Sequence, residues 1–390
     1  MNNNIGIACK ITTGKLDANQ AIQNGQYPFY TCAEFPDTID SFAFDDDVVL
    51  VAGNNAKGNF HVNRFKGKFN AYQRTYVLTA KKGFDIDFIY YSLKLELKRL
   101  KEKSQGSQTK FLTMPILQNI GLKNLSESEQ KQISSVLSTL DEKIALNNQI
   151  NATLEQMAKT LYDYWFVQFD FPDDNGKPYK SSGGEMVYNE ILKREIPKGW
   201  EVKKLVEIEK NIVTGKTPPT SNPEFFGDEI PFITISDIRN NTVIVENEQF
   251  LSRKGADYQK GKYLPSGSLC VSCIATVGLI GFTTRKSQTN QQINSIIFKH
   301  GFNRVFLFFA LNNYFSVAKA KTGNTFANMN KADFEEINVV YPPIDVLKSF
   351  QDKVSNQFNL IKNQSKQNGE LTKLRDWLLP MLMNGQVTVQ

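Results

Sequence analysis

The chain has 390 residues, a net charge of +6 and a pI near 8.8. At roughly 100 to 200 residues per domain this length predicts two or three domains, and the mild basicity admits a polyanion partner without requiring one. The N-terminus MNNNIGIACK lacks a charged stretch leading into an apolar one, and no apolar run reaches the ~18 residues of a membrane span, so a soluble cytoplasmic protein is expected. Four cysteines do not make a disulfide scaffold, and Cys270 and Cys273 form a lone Cys-x-x-Cys without the second pair that a zinc site needs. His61 and His300, the only histidines, stand outside any triad-like or metal-like constellation.

In chain order the first distinctive stretch is ITTGKLDANQ at Ile11–Gln20, and IVTGKTPPTS at Ile212–Ser221 repeats it. Gly215, Lys216 and Thr217 resemble the end of a phosphate-binding loop, but the glycine required five positions before Gly215 is Lys210. Without it the backbone cannot curl around an anion, and an ATPase reading fails. Further matches follow in order, with the offset drifting from about 201 to about 220 as loop-length changes would produce. YPFYT at Tyr27–Thr31 matches IPFIT at Ile230–Thr234, and the apolar strand around Val51 matches that around Val271. NAYQRTYVL around Gln73 matches TNQQINSII around Gln292, and GFDIDFIYYSL at Gly83–Leu93 matches GFNRVFLFFAL at Gly301–Leu311. The first copy starts almost directly at Lys10, so about a dozen residues that precede the second copy, PKGWEVKKLVEI, are expected to have no counterpart.

Each copy closes in a long helical pattern. After a capping box at Ser126 and Glu129, Ile133, Leu140, Asn147, Leu154 and Leu161 recur at spacings of seven, with Leu137, Ile144, Asn151, Ala158 and Trp165 between them. In the second copy Phe350, Gln357, Gln364, Leu371 and Leu378 hold that phase, with Val354, Ile361, Asn368, Arg375 and Leu382 between. Paired antiparallel, the stripes would bring Asn147 and Asn151 onto Gln364 and Asn368 in a polar layer that specifies register at a cost in stability. A helix of about 40 residues spans roughly 60 Å, so the pair would act as a ruler with a globule at either end.

These patterns predict an α+β chain: two pseudo-repeated mixed α/β domains separated by a long antiparallel two-helix coiled coil. The boundaries are a first domain at 1–124, a helix at 125–167, an extended linker at 168–197, a second domain at 198–341, a helix at 342–384 and a tail at 385–390. Candidate DNA contacts in the first copy are Thr13, Lys15, Asn54, Asn55, Lys57, Arg64, Lys66, Lys68, Gln73 and Arg74. The second copy offers Thr214, Lys216, Thr217, Arg285, Lys286, Gln288, Asn290, Gln291 and Gln292. Arg and Lys suit phosphates and guanine edges, while Asn and Gln present a donor and an acceptor together to adenine. Lys94, Lys98, Arg99, Lys101 and Lys103 form the densest basic patch, either a backbone-binding surface or a solvated helix face.

The order of globule, long helix, GKPYKSSGGEMVYNEILKREIPKGW linker, second globule with VTGKTPP and second helix resembles the specificity subunit of type I restriction-modification systems. GKFNAYQRTYVL at Gly67–Leu78 is similar to that family's target-recognition domains. The resemblance implies two such domains, each reading one half of a split duplex DNA site, with the helices setting the spacer. It implies docking of two modification subunits that methylate adenine with S-adenosylmethionine, and of restriction subunits that use ATP and magnesium, with no cofactor on this chain. Base flipping would fall to those partners. The sequence has no glycine-rich cofactor loop and no Asn-Pro-Pro-Tyr or Asp-Pro-Pro-Tyr element, as a non-catalytic subunit would. Two rivals belong to other classes. Pro172 and Asp173 followed by Glu201, Val202 and Lys203 have the order of a metal-dependent nuclease site, and the helices alone would serve a coiled-coil adaptor that binds only proteins.

Overall fold

The computed structural model describes residues 3–54, 60–103, 111–322, 328–387 and 389. The chain divides into two compact units, Met1–Ile144 with Glu370–Gln390, and Ala145–Gly369, so each long helix contributes to both. Among the described residues no helix is long and apolar enough to cross a membrane.

The first unit contains α1 (Ile5–Ala8), β1 (Cys9–Thr13), β2 (Tyr27–Tyr30), β3 (Asp37–Ile39), β4 (Phe44–Ala52), β5 (Val62–Ala71), β6 (Thr75–Ala80), α2 (Ile86–Lys103), α3 (Met114–Gln118) and the first half of α4 (Glu127–Tyr162). Its strands form one six-stranded sheet ordered β1-β6-β4-β5-β2-β3. Val48 to Ala52 are all buried because β4 is covered on both faces, and a continuous apolar run suits such a strand. One face, with Val49, Val51 and Leu78, packs on Phe88, Ile89 and Leu93 of α2; the other gathers Tyr30, Leu50, Phe69 and Val77. The predicted capping box starts α4: the Ser126 amide donates to Glu129 at 2.8 Å and the Glu129 amide to Ser126 Oγ at 3.3 Å.

The second unit begins in the second half of α4 and, past a π-helical turn at Asp163–Val167, continues with β7 (Met186–Asn189), β8 (Arg194–Pro197), β9 (Glu201–Lys204), α5 (Leu205–Ile208), β10 (Ile212–Thr214) and β11 (Phe226–Ile233). There follow α6 (Ile235–Ile238), β12 (Val243–Ile244), β13 (Phe250–Leu251), α7 (Arg253–Tyr258), β14 (Leu269–Ser272), β15 (Ile280–Thr283), β16 (Gln288–Thr289) and β17 (Ile293–Ile296). The unit closes with α8 (Arg304–Thr322), α9 (Lys331–Glu335), β18 (Asn338–Tyr341) and the first part of α10 (Ile344–Asn384). Its main sheet is ordered β10-β17-β14-β15-β12, beside a three-stranded sheet β13-β11-β16. The core is aromatic: Phe306, Phe308, Phe309 and Phe315 of α8 pack with Tyr162, Phe166, Trp200 and Phe350.

The repeat holds at the level of register. Ile11 faces Leu78 as Ile212 faces Ile296, Val49 faces Leu78 as Leu269 faces Ile296, and Tyr30 faces Ala71 as Ile233 faces Thr289. Two expectations are corrected. The segment 168–197 is folded rather than an extended crossing: β7 and β8 pair as a hairpin, and Phe169, Phe171 and Ile196 enter the core with Trp200. Burial of those rings outweighs the polar composition that suggested a linker. The first copy also reaches further than Lys10, because α1 repeats α5 and the Asn4–Gly121 bridge stands where Lys204 pairs with Asn338.

The two long helices pair antiparallel within each unit. In the first, Ile133 and Leu137 share a core with Leu379, Leu382 and partly buried Leu378, and Arg375 donates to Asp141 at 2.6 Å. In the second, Trp165 and Phe166 contact the Phe350 ring, Val354 and Ile361 are buried, and Leu154 and Leu161 are half-buried. Leu140, Ile144 and Leu371 are likewise half-buried. The polar layer forms with one change of partner. The Asn147 amide donates to both Gln367 and Asn368 at 2.8 Å, whereas Asn151 donates to Ser365 at 3.4 Å in place of Gln364. Side-chain oxygens of Asn147, Asn151, Gln357 and Gln364 are buried here without a hydrogen-bond partner in the protein, a cost that apolar seam residues would avoid.

Candidate nucleic-acid interface

The shared Thr-Gly-Lys motif has a packing explanation. A Cβ on Gly14 would lie 1.9 Å from the Ala71 carbonyl oxygen, and one on Gly215 would lie 2.0 Å from that of Asn290. Only glycine permits this approach of one loop to the neighbouring hairpin tip, so the glycine of the motif serves packing rather than a nucleotide-binding loop. The Gly14 amide donates to Thr75 and the Gly215 amide to Ile293, the equivalent residue. The tips are turns at Tyr72–Arg74 and Asn290–Gln292, and matching backbone bonds hold them: Tyr72 to Tyr30 and Asn290 to Ile233, then Gly53 to Arg74 and Cys273 to Gln292. Each copy therefore builds the same rigid edge from three loops.

Exposed side chains at this edge are Lys15, Gln73 and Arg74 in the first unit and Lys216 and Gln291 in the second. The two glutamines hold equivalent places and each is tied to the loop opposite. The Gln73 amide donates to Asp17 at 2.6 Å, and Thr217 donates to the Gln291 oxygen at 2.6 Å. Thr13 and Asn54 are partly buried beside the first tip; Thr214 donates to Asn294 at 2.7 Å, and Asn290 braces its own turn by donating to Gln292 at 3.0 Å.

Other candidates sit differently. Arg64 is partly buried and ion-paired with Asp47 and, at 2.6 Å, with Asp87; burial opposes its charge, but these carboxylates hold the guanidinium above its ordinary range. Its charge is thus balanced within the unit. Lys66 lies 4.0 Å from Asp47, and Lys68 sits 4.7 Å over the Phe42 ring. Gln288 was expected at the surface but is fully buried: it donates to the Ala256 carbonyl at 2.8 Å and accepts from Gln259 at 2.7 Å. A residue so enclosed presents nothing to a groove. Asn55 and Lys57 lie outside the described residues. The nuclease-like order also has structural uses, since Asp173 accepts the Asn175 and Lys177 amides of its own turn and Lys203 pairs with Glu201 at 2.7 Å.

Sequence reasoning missed the segment around α7, where Arg253, Lys254 and Lys260 are exposed and Lys262 is half-exposed. Its signal was the interleaving of cations and tyrosines in SRKGADYQKGKY, which has no partner in the first copy. Lys286 sits 3.8 Å over the Tyr263 ring, Arg285 5.5 Å over Phe250 and Lys216 6.0 Å over Tyr258. Cation–π contact orients these charges while leaving them accessible.

The family described as "Type I restriction modification DNA specificity domain" matches residues 5–156 and 197–372. The type I restriction enzyme HindI specificity subunit of Haemophilus influenzae is 34% identical over 327 residues, 71% of each chain. The EcoDI specificity subunit of Escherichia coli is 28% identical over 407 aligned residues, spanning 99% of this chain and 88% of that one. The crystal structure of a type I restriction-modification system S subunit from M. genitalium shares the fold, with a TM-score of 0.55 at 16% identity over 98% of this chain and 95% of that one. A family match over both copies, together with the register-matched repeat, leads to one conclusion: the chain belongs to the type I restriction-modification DNA specificity family.

Proposed function

We propose that this chain is the sequence-reading, non-catalytic subunit of a cytoplasmic type I restriction-modification complex, with each unit reading one half of a split duplex DNA site. The observation that carries this is the pair of hairpin tips, built in the same register and each presenting an exposed glutamine beside the exposed lysine of a Thr-Gly-Lys loop, with Arg74 added at the first tip. Bidentate amides and cations of this kind discriminate base edges in a major groove. The paired helices set the unspecified gap and offer the docking surface for two modification subunits and for restriction subunits. S-adenosylmethionine, ATP and magnesium belong to those partners, which carry out adenine methylation and cleavage.

Methylome sequencing of cells that express this chain with its cognate modification subunit tests the reading. A bipartite motif is expected, and Lys15→Glu or Arg74→Glu should abolish or relax one half-site while the complex still assembles. Unchanged methylation by both variants would remove those contacts from the account, and the absence of any bipartite motif with the parent would remove the function.

A further inference from the structure

The second unit carries a cationic platform that the first repeats only in part: Lys15 and Lys68 stand where Lys216 and Lys286 do, but Gly67 takes the place of Arg285 and the stretch holding Lys260 has no basic counterpart. Gln259 and Gln288 are both buried, and the Gln259 amide donates to the Lys216 carbonyl and to Gln288, each within 2.8 Å. Gln288 in turn donates to Ala256. This buried pair bolts together the loop after β10, the end of α7 and the start of β16. The bolted surface displays Lys216, Lys260, Arg285 and Lys286, three of them seated on aromatic rings. Tyr258 stays 57% exposed although it stacks on Phe225 at 5.0 Å, and Tyr263 donates to Asp257, the carboxylate that adjoins the platform. Cations held in this way lose less conformational freedom when they meet an anion than free lysines do. In the first copy, residues 21–54 include six carboxylates, Glu34, Asp37, Asp40, Asp45, Asp46 and Asp47, and no Lys or Arg.

We infer that this platform is a clamp for the phosphodiester backbone of duplex DNA, so that the phosphate-derived affinity of the complex resides chiefly in the second unit. The inference rests on the DNA-recognition reading above. Neutralising phosphates releases counterions, and each contact contributes about 0.9 to the slope of log affinity against log salt.

The test uses the chain assembled with its cognate modification subunit, and a duplex bearing its methylated motif, titrated across NaCl concentrations. The double variant Lys260→Gln/Lys286→Gln should flatten the slope by roughly 2 and weaken binding about tenfold or more at physiological salt, with the methylated motif unchanged. A double variant in the first unit, Lys66→Gln/Lys68→Gln, in which Lys68 is the counterpart of Lys286, should leave the slope within about 0.5 of the parent. A parent that binds specifically, combined with an unchanged slope for the 260/286 variant or an equal loss for the 66/68 variant, refutes the clamp. A parent that shows no specific binding refutes the DNA-recognition reading instead.

Discussion

Replacing Asn147 tests whether the polar layer of the helix pair is a register device. Its amide makes two hydrogen bonds of 2.8 Å across the seam, to Gln367 and Asn368, and Asn368 returns one of 2.7 Å to Asn148. At roughly 1 kcal/mol net per bond, Asn147→Ala forfeits about 2 kcal/mol, and the small cavity at a fully buried position adds up to ~1 kcal/mol. The Gln367 side chain is exposed and can turn to water, which keeps the loss near 2 to 3 kcal/mol. The double variant Asn147→Leu/Asn368→Leu should behave differently. Apolar burial replaces the lost bonds, so stability is equal to or above the parent, while the strongest polar constraint on the alignment of the two helices is gone. Urea unfolding measures the first quantity, and methylome sequencing measures the second as a gap of mixed length between the half-sites. If Asn147→Ala unfolds within about 0.5 kcal/mol of the parent, or if the leucine pair keeps one gap at raised stability, the layer does not specify register.

Two further outcomes follow from local geometry. Gly14→Ala and Gly215→Ala each drive a methyl group into a carbonyl oxygen about 2 Å away, so each should displace one tip and cost about 1 to 3 kcal/mol. Methylation should then lose the first half-site in one variant and the second in the other, and loss of the same half-site in both would refute the two-tip assignment. Burial pushes the Cys9 and Cys270 thiols up to about 12 and Cys273 to about 11, so the folded protein keeps them neutral where the unfolded chain ionises them. Their contribution to stability is complete below the ordinary thiol value of 9.0 and declines as pH rises from there toward 11 to 12. Urea midpoints at pH 8 and pH 10 should show the fall, and iodoacetamide at pH 8.5 should label half-buried Cys32 well before Cys270; equal labelling would contradict the burial.

The duplication, the long helices and the family were legible because they are matters of order and period. Matches such as YPFYT with IPFIT need only correspondence along the chain, and the seam residues from Ile133 to Leu161 declare themselves by spacing. The Asn147–Asn368 contact was readable for the same reason, since two antiparallel stripes have one alignment that joins polar to polar. Individual site residues were not. Arg64 and Gln288 have compositions suited to DNA, yet Asp47, Asp87 and Gln259 consume their polar groups, and these partners are distant in sequence or on another element. The stretch 168–197 looked like a linker by composition until Phe169 and Phe171 found a core to enter.

The amino-acid order alone thus determined that there are two copies of one unit, each ending in a seam-bearing helix, because local propensity and periodic apolar residues are written along the chain. Tertiary structure alone decided which polar side chains remain outward at the hairpin tips and on the α7 platform. Whether a charge or an amide is free depends on the groups that the fold brings within hydrogen-bond reach, and that proximity has no signature in a linear sequence.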